Sequence, residues 1–383
     1  ELTDPETMTQ FDLSKPPLSS LSLIRTNDDS HHVVWTFHHI ILDGWSLPLL
    51  LRELLTIYSA FCRGEQPDLP PARAYKDYIA WLQDQDLAEA ESHWQKTLAG
   101  FTRPTVVKPG SPVVPSGPSE YLEAVLRLSP DLIEQMHAVA RKRRLTVSTL
   151  LQGAWAIALS HFSGSADVLF GVVASGRPTE LAGVDRMVGM FINTLPLRVE
   201  IRAESPASDL LLAIQGQQVQ SRQYEYCPIT QIQQWSRTPR GTQLFQYVLL
   251  FQNYPAGTVN EPLPDGLRLE NIRHIVRDNF PLVLSVGQQM ILHLQYDRHR
   301  IGTATAEAML AGCERIFQEI ARDPDLPVQK LYRVMEEVEK QFKLTGLQQA
   351  EKAAAEKLRL RARSGTARKV RAGANPDSVE SYE

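Results

Sequence analysis

At 383 residues, 43% hydrophobic and 22% charged, the chain has enough apolar material for a sizeable buried core, and its length predicts two or more lobes. A net charge of −4 argues against general nucleic-acid binding, and no apolar run approaches the ~18 residues that predict a membrane-spanning helix. Three widely spaced cysteines (Cys62, Cys227, Cys313), odd in number and without CxxC or Cys/His ligand spacing, suit a reducing, cytoplasmic setting.

Glu1 opens no signal-peptide pattern and is not an initiator Met, so the sequence reads as a segment of something longer. The first apolar stretch runs from Phe11 through Leu21, Leu23 and Ile24. The turn cluster Asn27-Asp28-Asp29-Ser30 predicts a hairpin into Val33-Val34-Trp35-Thr36-Phe37, a β-branched and aromatic run expected to be a buried strand. The strand leads into His38-His39-Ile40-Ile41-Leu42-Asp43-Gly44. Asp43-Gly44 is a turn dipeptide, Ser46 is an expected N-cap, and Leu47, Leu50, Leu51, Leu54, Leu55 and Tyr58 recur at helical spacing. One further helix is expected over about 75–98.

Residues 101–120, with five prolines between Pro104 and Pro118, read as a semi-extended linker between lobes. Beyond it, a strand over 121–128 and a Ser129-capped helix to about 144 are predicted, then a helix from Thr146 that is apolar nearly all round and therefore buried. Strands are expected at 168–173, 188–199, 247–251, 282–286 and 290–296. A helical pattern runs from 328 to about 363, and residues 364–383 suit a flexible end. Residues 351–371 carry eight Lys or Arg against two Glu, and 372–383 carry three acids, which leaves −7 on residues 1–350. Strands and helices mix without a repeat, so the fold class is α/β or α+β in two lobes.

The chemistry concentrates at 38–44. A neutral imidazole can accept a proton near pH 7, and a positioned base contributes roughly 10²–10⁴ in rate. Successive strand residues face opposite ways, so if the strand continues, only one of His38 and His39 reaches a given cavity; spacing does not decide which. Asp43 could orient a histidine or hold the turn through a buried ion pair. A metal reading finds no third ligand at suitable spacing.

This heptad, followed by Trp45-Ser46, resembles the HHxxxDG signature of condensation domains of non-ribosomal peptide synthetases. Further blocks similar to that family follow in its order: Phe11-Asp12-Leu13, residues 75–81, Ser175-Gly176-Arg177-Pro178, Val188-Gly189-Met190-Phe191-Ile192-Asn193-Thr194, Tyr224-Glu225-Tyr226-Cys227-Pro228, residues 232–236 and 239–242, Phe251-Gln252-Asn253-Tyr254-Pro255, and Asn279-Phe280-Pro281-Leu282. The resemblance covers about 8–340. It implies a two-lobed chloramphenicol-acetyltransferase-like α/β architecture with the first lobe incomplete: 1–100 as the remainder of the N-terminal lobe, 101–120 as linker, 121–340 as C-terminal lobe and 341–383 as a basic helical and flexible tail.

The implied activity is amide formation between a donor acyl or peptidyl thioester and an acceptor aminoacyl thioester. Upstream and downstream peptidyl carrier domains would present both on 4'-phosphopantetheine, with no cofactor or metal bound by the chain itself and an adenylation or tailoring domain as neighbour; neither nucleic acid nor membrane is an implied partner. On these positions His39 is the implied reactive group. His38, Asp43 and Gly44 complete the motif, mainly as scaffold, and Trp45, Ser46, Arg177, Asn193 and Asn279 are candidates for tunnel lining or structural support. The motif context looks more like the subtype that joins two L-configured units. An arginine from an RHExLRT-like segment upstream of these residues typically pairs with the motif aspartate, so Asp43 is expected to lack its partner within this chain. An ester-forming domain and an inactive platform that binds carriers or recruits a tailoring enzyme are the alternatives.

Overall fold

The structure, a computed structural model, describes residues 11–108, 119–239, 241–252, 266–270, 280–287, 289–345 and 348. Asn279, the proline-rich part of the predicted linker and the basic tail beyond 348 lie outside the described residues.

The predicted hairpin is present: β1 (Ser19–Asn27) pairs antiparallel with β2 (Ser30–Phe37), and Leu21 faces Trp35 as Leu23 faces Val33. The expectation that this strand is buried is overturned. Val33 is 59% exposed and Leu23 67% exposed, because the two strands form a sheet of their own and no third described strand joins them. Apolar β-branched composition reports strand propensity, whereas burial needs a second layer to pack on. Helix α1 (Ser46–Cys62) follows the motif.

The expected single helix over 75–98 is two, α2 (Lys76–Gln83) and α3 (Leu87–Thr97). Asp86 causes the break: it adopts an extended conformation and its carboxylate accepts the backbone N–H groups of Ala88 and Glu89, capping α3. Asp86→Ala is expected to cost about 1 kcal/mol, the usual value for losing such a cap. A denaturation curve measures it, and an unchanged midpoint would mean the cap is dispensable.

The main sheet has six strands in the order β3-β8-β7-β6-β4-β5, formed by β3 (Tyr121–Arg127), β4 (Asp167–Ala174), β5 (Asn193–Glu200), β6 (Tyr247–Phe251), β7 (Leu282–Val286) and β8 (Ile291–Asp297). It is mixed: β4, β6 and β7 run parallel, while β5 and β8 run antiparallel to their neighbours. Helices α4 (Pro130–Arg143), α5 (Val147–Ser163), α6 (Ala207–Ser221) and α8 (Thr303–Arg322) supply the larger core with α9 (328–345), and α7 (Ile229–Trp235) contributes to the smaller one.

Side-chain alternation explains why the central strands read as unbroken apolar runs. Val168, Phe170 and Val172 of β4 enter the larger core, whereas Leu169 points the other way, into a cluster with Trp94, Leu98 and Phe101 at the end of α3. The sheet is therefore covered on both faces. Ser129 and Thr146 cap α4 and α5 as expected, and nearly every residue of α5 from Thr149 to Phe162 is buried. Three helices, α6, α7 and α8, have no counterpart among the predicted elements. None starts with a side-chain cap, so the signal that marks a helix start is missing at Pro206, Pro228 and Gly302.

The expected strand over 188–199 begins only at Asn193. Residues 188–192 instead leave the sheet and cross to the motif loop, which brings the two parts of the site together.

Candidate active site

Strand β2 ends at Phe37, so both histidines lie in the turn that follows, closed by the Ile41 N–H donating to the His38 carbonyl at 3.2 Å. The alternation argument therefore does not apply to them. What separates them is the group each ring nitrogen meets. The His38 Nδ1 lies 3.1 Å from the Ile40 N–H, which can only donate, so this nitrogen accepts and the proton of the neutral ring sits on Nε2. The His39 Nδ1 lies 2.9 Å from the Leu42 carbonyl, which can only accept, so this nitrogen carries the proton and Nε2 keeps a free lone pair. Neighbouring histidines thus hold opposite tautomers, and the exposed His39 has its basic nitrogen available.

Asp43 is fully buried. Its Oδ1 accepts the Ser46 N–H at 2.9 Å, lies 2.8 Å from the Ser46 hydroxyl and 3.2 Å from Arg177 Nη2, and its Oδ2 accepts the Phe191 N–H at 3.2 Å. The expectation that Asp43 lacks a partner in this chain is corrected: Arg177, whose side chain is only 6% exposed, supplies the opposing charge. Arg177 also donates from Nη1 to the Val184 and Met187 carbonyls and lies over the Phe191 ring, 3.9 Å from its centroid. Burial pulls the guanidinium below its ordinary value, and Asp43 opposes that shift.

Ser46 is not the N-cap. Trp45 occupies that position without capping through its side chain, and Ser46 is the first helical residue. Its hydroxyl turns back to bridge Asp43 and the Gly189 backbone, 3.0 Å from the Gly189 carbonyl while accepting the Gly189 N–H at 3.1 Å. The Asp43 N–H also donates to the Gly189 carbonyl. Gly44 is half-buried in the turn between Asp43 and α1.

The facing wall is aromatic. Tyr75 donates its hydroxyl to the Met190 carbonyl and meets Phe191 edge-on, while Tyr78 packs on Phe191 at 4.5 Å between centroids. Burial pushes the Tyr78 hydroxyl up to about 12, so it remains a neutral donor in any ordinary buffer. Gly189 is required by contact: a Cβ there would lie 2.1 Å from the Tyr75 ring. Asn193 sits at the start of β5 and donates to the carbonyls of Glu225 (2.8 Å) and Cys227 (2.6 Å), fixing the 225–227 turn rather than the motif. Sequence reasoning assigned no role to Tyr75, Gly189, Phe191 or Glu225. They fall inside the blocks similar to the condensation family, which is the signal that pointed to them.

Glu225 is half-buried, and desolvation raises its carboxyl above the ordinary value, only partly offset by Arg222 and by a hydrogen bond from the Gly176 N–H. A carboxyl whose folded pKa is raised makes the protein lose stability as pH climbs through that pKa. Glu225→Gln is therefore expected to raise the melting temperature at pH 8, with the gain shrinking in acid. A gain independent of pH would contradict this origin.

The condensation-domain family profile matches residues 2–343. A linear gramicidin synthase from Brevibacillus parabrevis is 37% identical over 342 residues, covering 86% of this chain and 7% of that protein. Surfactin synthase subunit 3 of Bacillus subtilis is 31% identical, covering 88% of this chain and 26% of its own length. The chain thus spans only a small part of the curated relatives it matches. Among solved structures, the X-domain from teicoplanin biosynthesis superposes with a TM-score of 0.72 at 20% identity over 84% of this chain and 75% of that one. The first condensation domain of the calcium-dependent antibiotic synthetase gives 0.64 at 17% identity over 84% and 73%. At those identities the structures speak for the α/β fold alone.

Proposed function

The chain belongs to the condensation-domain family, and on that premise we propose that it forms amide bonds between thioesters carried on 4'-phosphopantetheine arms of separate carrier domains. The observation that carries this reading is the 2.9 Å contact between His39 Nδ1 and the Leu42 carbonyl, which in the neutral ring places the proton on Nδ1 and leaves the Nε2 lone pair for a proton.

In the proposed step the acceptor amine attacks the donor thioester carbonyl and a C–N bond forms. His39 Nε2 takes the proton released from nitrogen, the C–S bond breaks as the tetrahedral intermediate collapses, and that proton goes to the departing thiolate as a thiol. His38, Asp43, Ser46 and Arg177 act on the shape of the loop. Asp43 holds the peptide next to the Leu42 carbonyl, and that carbonyl selects the His39 tautomer. The donor and acceptor carriers are separate domains, and an adenylation domain is a natural neighbour in such a synthetase. No described helix is long and apolar enough to cross a membrane.

Reconstitution of the intact synthetase with acceptor carriers loaded with an amino acid or with the matching hydroxy acid tests the reading. Amide product from the first is expected. Ester product from the hydroxy acid alone would assign an ester-forming domain, and carrier binding without either product would assign a platform.

A further inference from the structure

Two peptide units meet at the site, and each is gripped at both ends. The first joins Leu42 to Asp43: its oxygen is the carbonyl 2.9 Å from His39 Nδ1, and its N–H donates to the Gly189 carbonyl at 3.1 Å. The second joins Met190 to Phe191: its N–H donates to Asp43 Oδ2 at 3.2 Å, and its oxygen accepts the Tyr75 hydroxyl. A peptide unit is planar, so turning one end turns the other. Whatever fixes residues 189–191 therefore also fixes the carbonyl that His39 meets.

Asp43 and Ser46 hold these residues from the motif, through the Phe191 N–H and through the N–H and carbonyl of Gly189. Tyr75 holds the same three residues from outside the motif. Its ring lies where a Gly189 Cβ would stand, 2.1 Å from that position, and it meets the Phe191 ring edge-on with centroids 5.1 Å apart, while its hydroxyl takes the Met190 carbonyl. Asp43 Oδ1 is shared by Ser46 and Arg177, whereas Oδ2 takes the Phe191 N–H, so the peptide that Tyr75 fixes supplies the donor to that second oxygen. Burial raises the half-buried Tyr75 hydroxyl above the ordinary phenol value, which keeps it a neutral donor.

We propose that Tyr75 is a positioning residue for the condensation reaction: its hydroxyl fixes the Met190–Phe191 peptide, which orients Asp43 and the Leu42 carbonyl and so keeps the His39 ring in its reactive orientation. The inference rests on the proposed amide-forming role of the His39 site. It requires the hydroxyl as a donor to backbone, beyond the packing that the ring alone provides.

Tyr75→Phe separates the hydroxyl from the ring: the packing on Gly189 and Phe191 stays, and the Met190 carbonyl loses its donor. In the intact synthetase with loaded carriers, this variant is expected to lower kcat on the order of 10-fold, since small misplacements of a reacting group cost up to about 10²-fold. KM for the acceptor carrier should be little changed, because the hydroxyl is turned to backbone rather than to substrate. Tyr75→Leu, which also removes the ring, is expected to be at least as slow and to melt at a lower temperature. A parent-like kcat in either variant would overturn the inference, and so would a Tyr75→Phe enzyme whose KM rises at unchanged kcat, because the hydroxyl would then serve binding. Melting curves report the folded fraction at the assay temperature, and a rate loss that merely tracks a lost folded fraction would overturn it too. His39→Ala run alongside keeps the two levels apart. Product at the parent rate from His39→Ala sinks the site reading, whereas an inactive His39→Ala beside a parent-like Tyr75→Phe sinks the positioning inference alone.

Discussion

His39→Ala is expected to abolish peptide transfer between loaded carriers while leaving carrier loading and the melting temperature intact. The loss in rate should be on the order of 10²–10⁴, the range for removing a positioned general base. Stability should hold because His39 is exposed and its hydrogen bond among the described residues, to the Leu42 carbonyl, can be replaced by water once the ring is gone. Single-turnover kinetics with pre-loaded donor and acceptor carriers isolates the transfer step. The contrast is His38→Ala, which should act through the turn: its ring accepts the Ile40 N–H, so its loss loosens the loop without removing the free Nε2 of His39. Equal defects in the two variants, or undiminished product from His39→Ala, would sink the assignment of roles.

Asp43→Ala is expected to give the largest loss of stability at the site, about 3–5 kcal/mol, the usual range when one member of a buried ion pair is removed. Four groups lose an acceptor together: the Ser46 N–H, the Ser46 hydroxyl, the Phe191 N–H and Arg177, whose buried charge would lose its directly bonded carboxylate. Arg177→Leu should also destabilise, because Asp43 keeps its backbone donors but loses its cation. Replacing both by leucine should cost less than the sum of the single changes, with a coupling energy of about 0.5–3 kcal/mol, since the double variant buries no unpaired charge. Additive losses in chemical denaturation would show that the 3.2 Å contact carries no net interaction. Peptide transfer should fall with Asp43→Ala even where the protein is still folded, because Asp43 adjoins the carbonyl that sets the His39 tautomer.

Periodicity and capping residues located most of the C-terminal elements. Thr146 and Ser129 begin α5 and α4 where their hydroxyls predict, and the central strands lie where apolar runs of five to eight residues stand. The interruption at Asp86 is a matter of one side chain choosing backbone donors over a continued helix. The exposure of Val33 and Leu23 depends on what packs against a hairpin, which composition does not encode. Residues 188–192 have the residue types of a buried strand and are buried in part, but Met187 and Phe191 join Tyr78 and Val184 in a small cluster instead of extending the sheet.

The sequence by itself determined the family, through the order of its short blocks, and singled out the candidate motif, because four residues at fixed spacing are a local feature. It also narrowed the class to α/β or α+β, since periods of 3.6 and 2 are written residue by residue, and the resemblance selected α/β. Only the tertiary structure decided which histidine has its Nε2 free, because that follows from the carbonyl and the N–H that each ring meets after the chain has turned. It alone decided that Arg177, 134 residues away, is the partner of Asp43, and that Gly189 and Phe191 close around that pair. Those contacts join segments distant along the chain, and a buried charge takes its partner from whatever the fold brings within hydrogen-bonding reach.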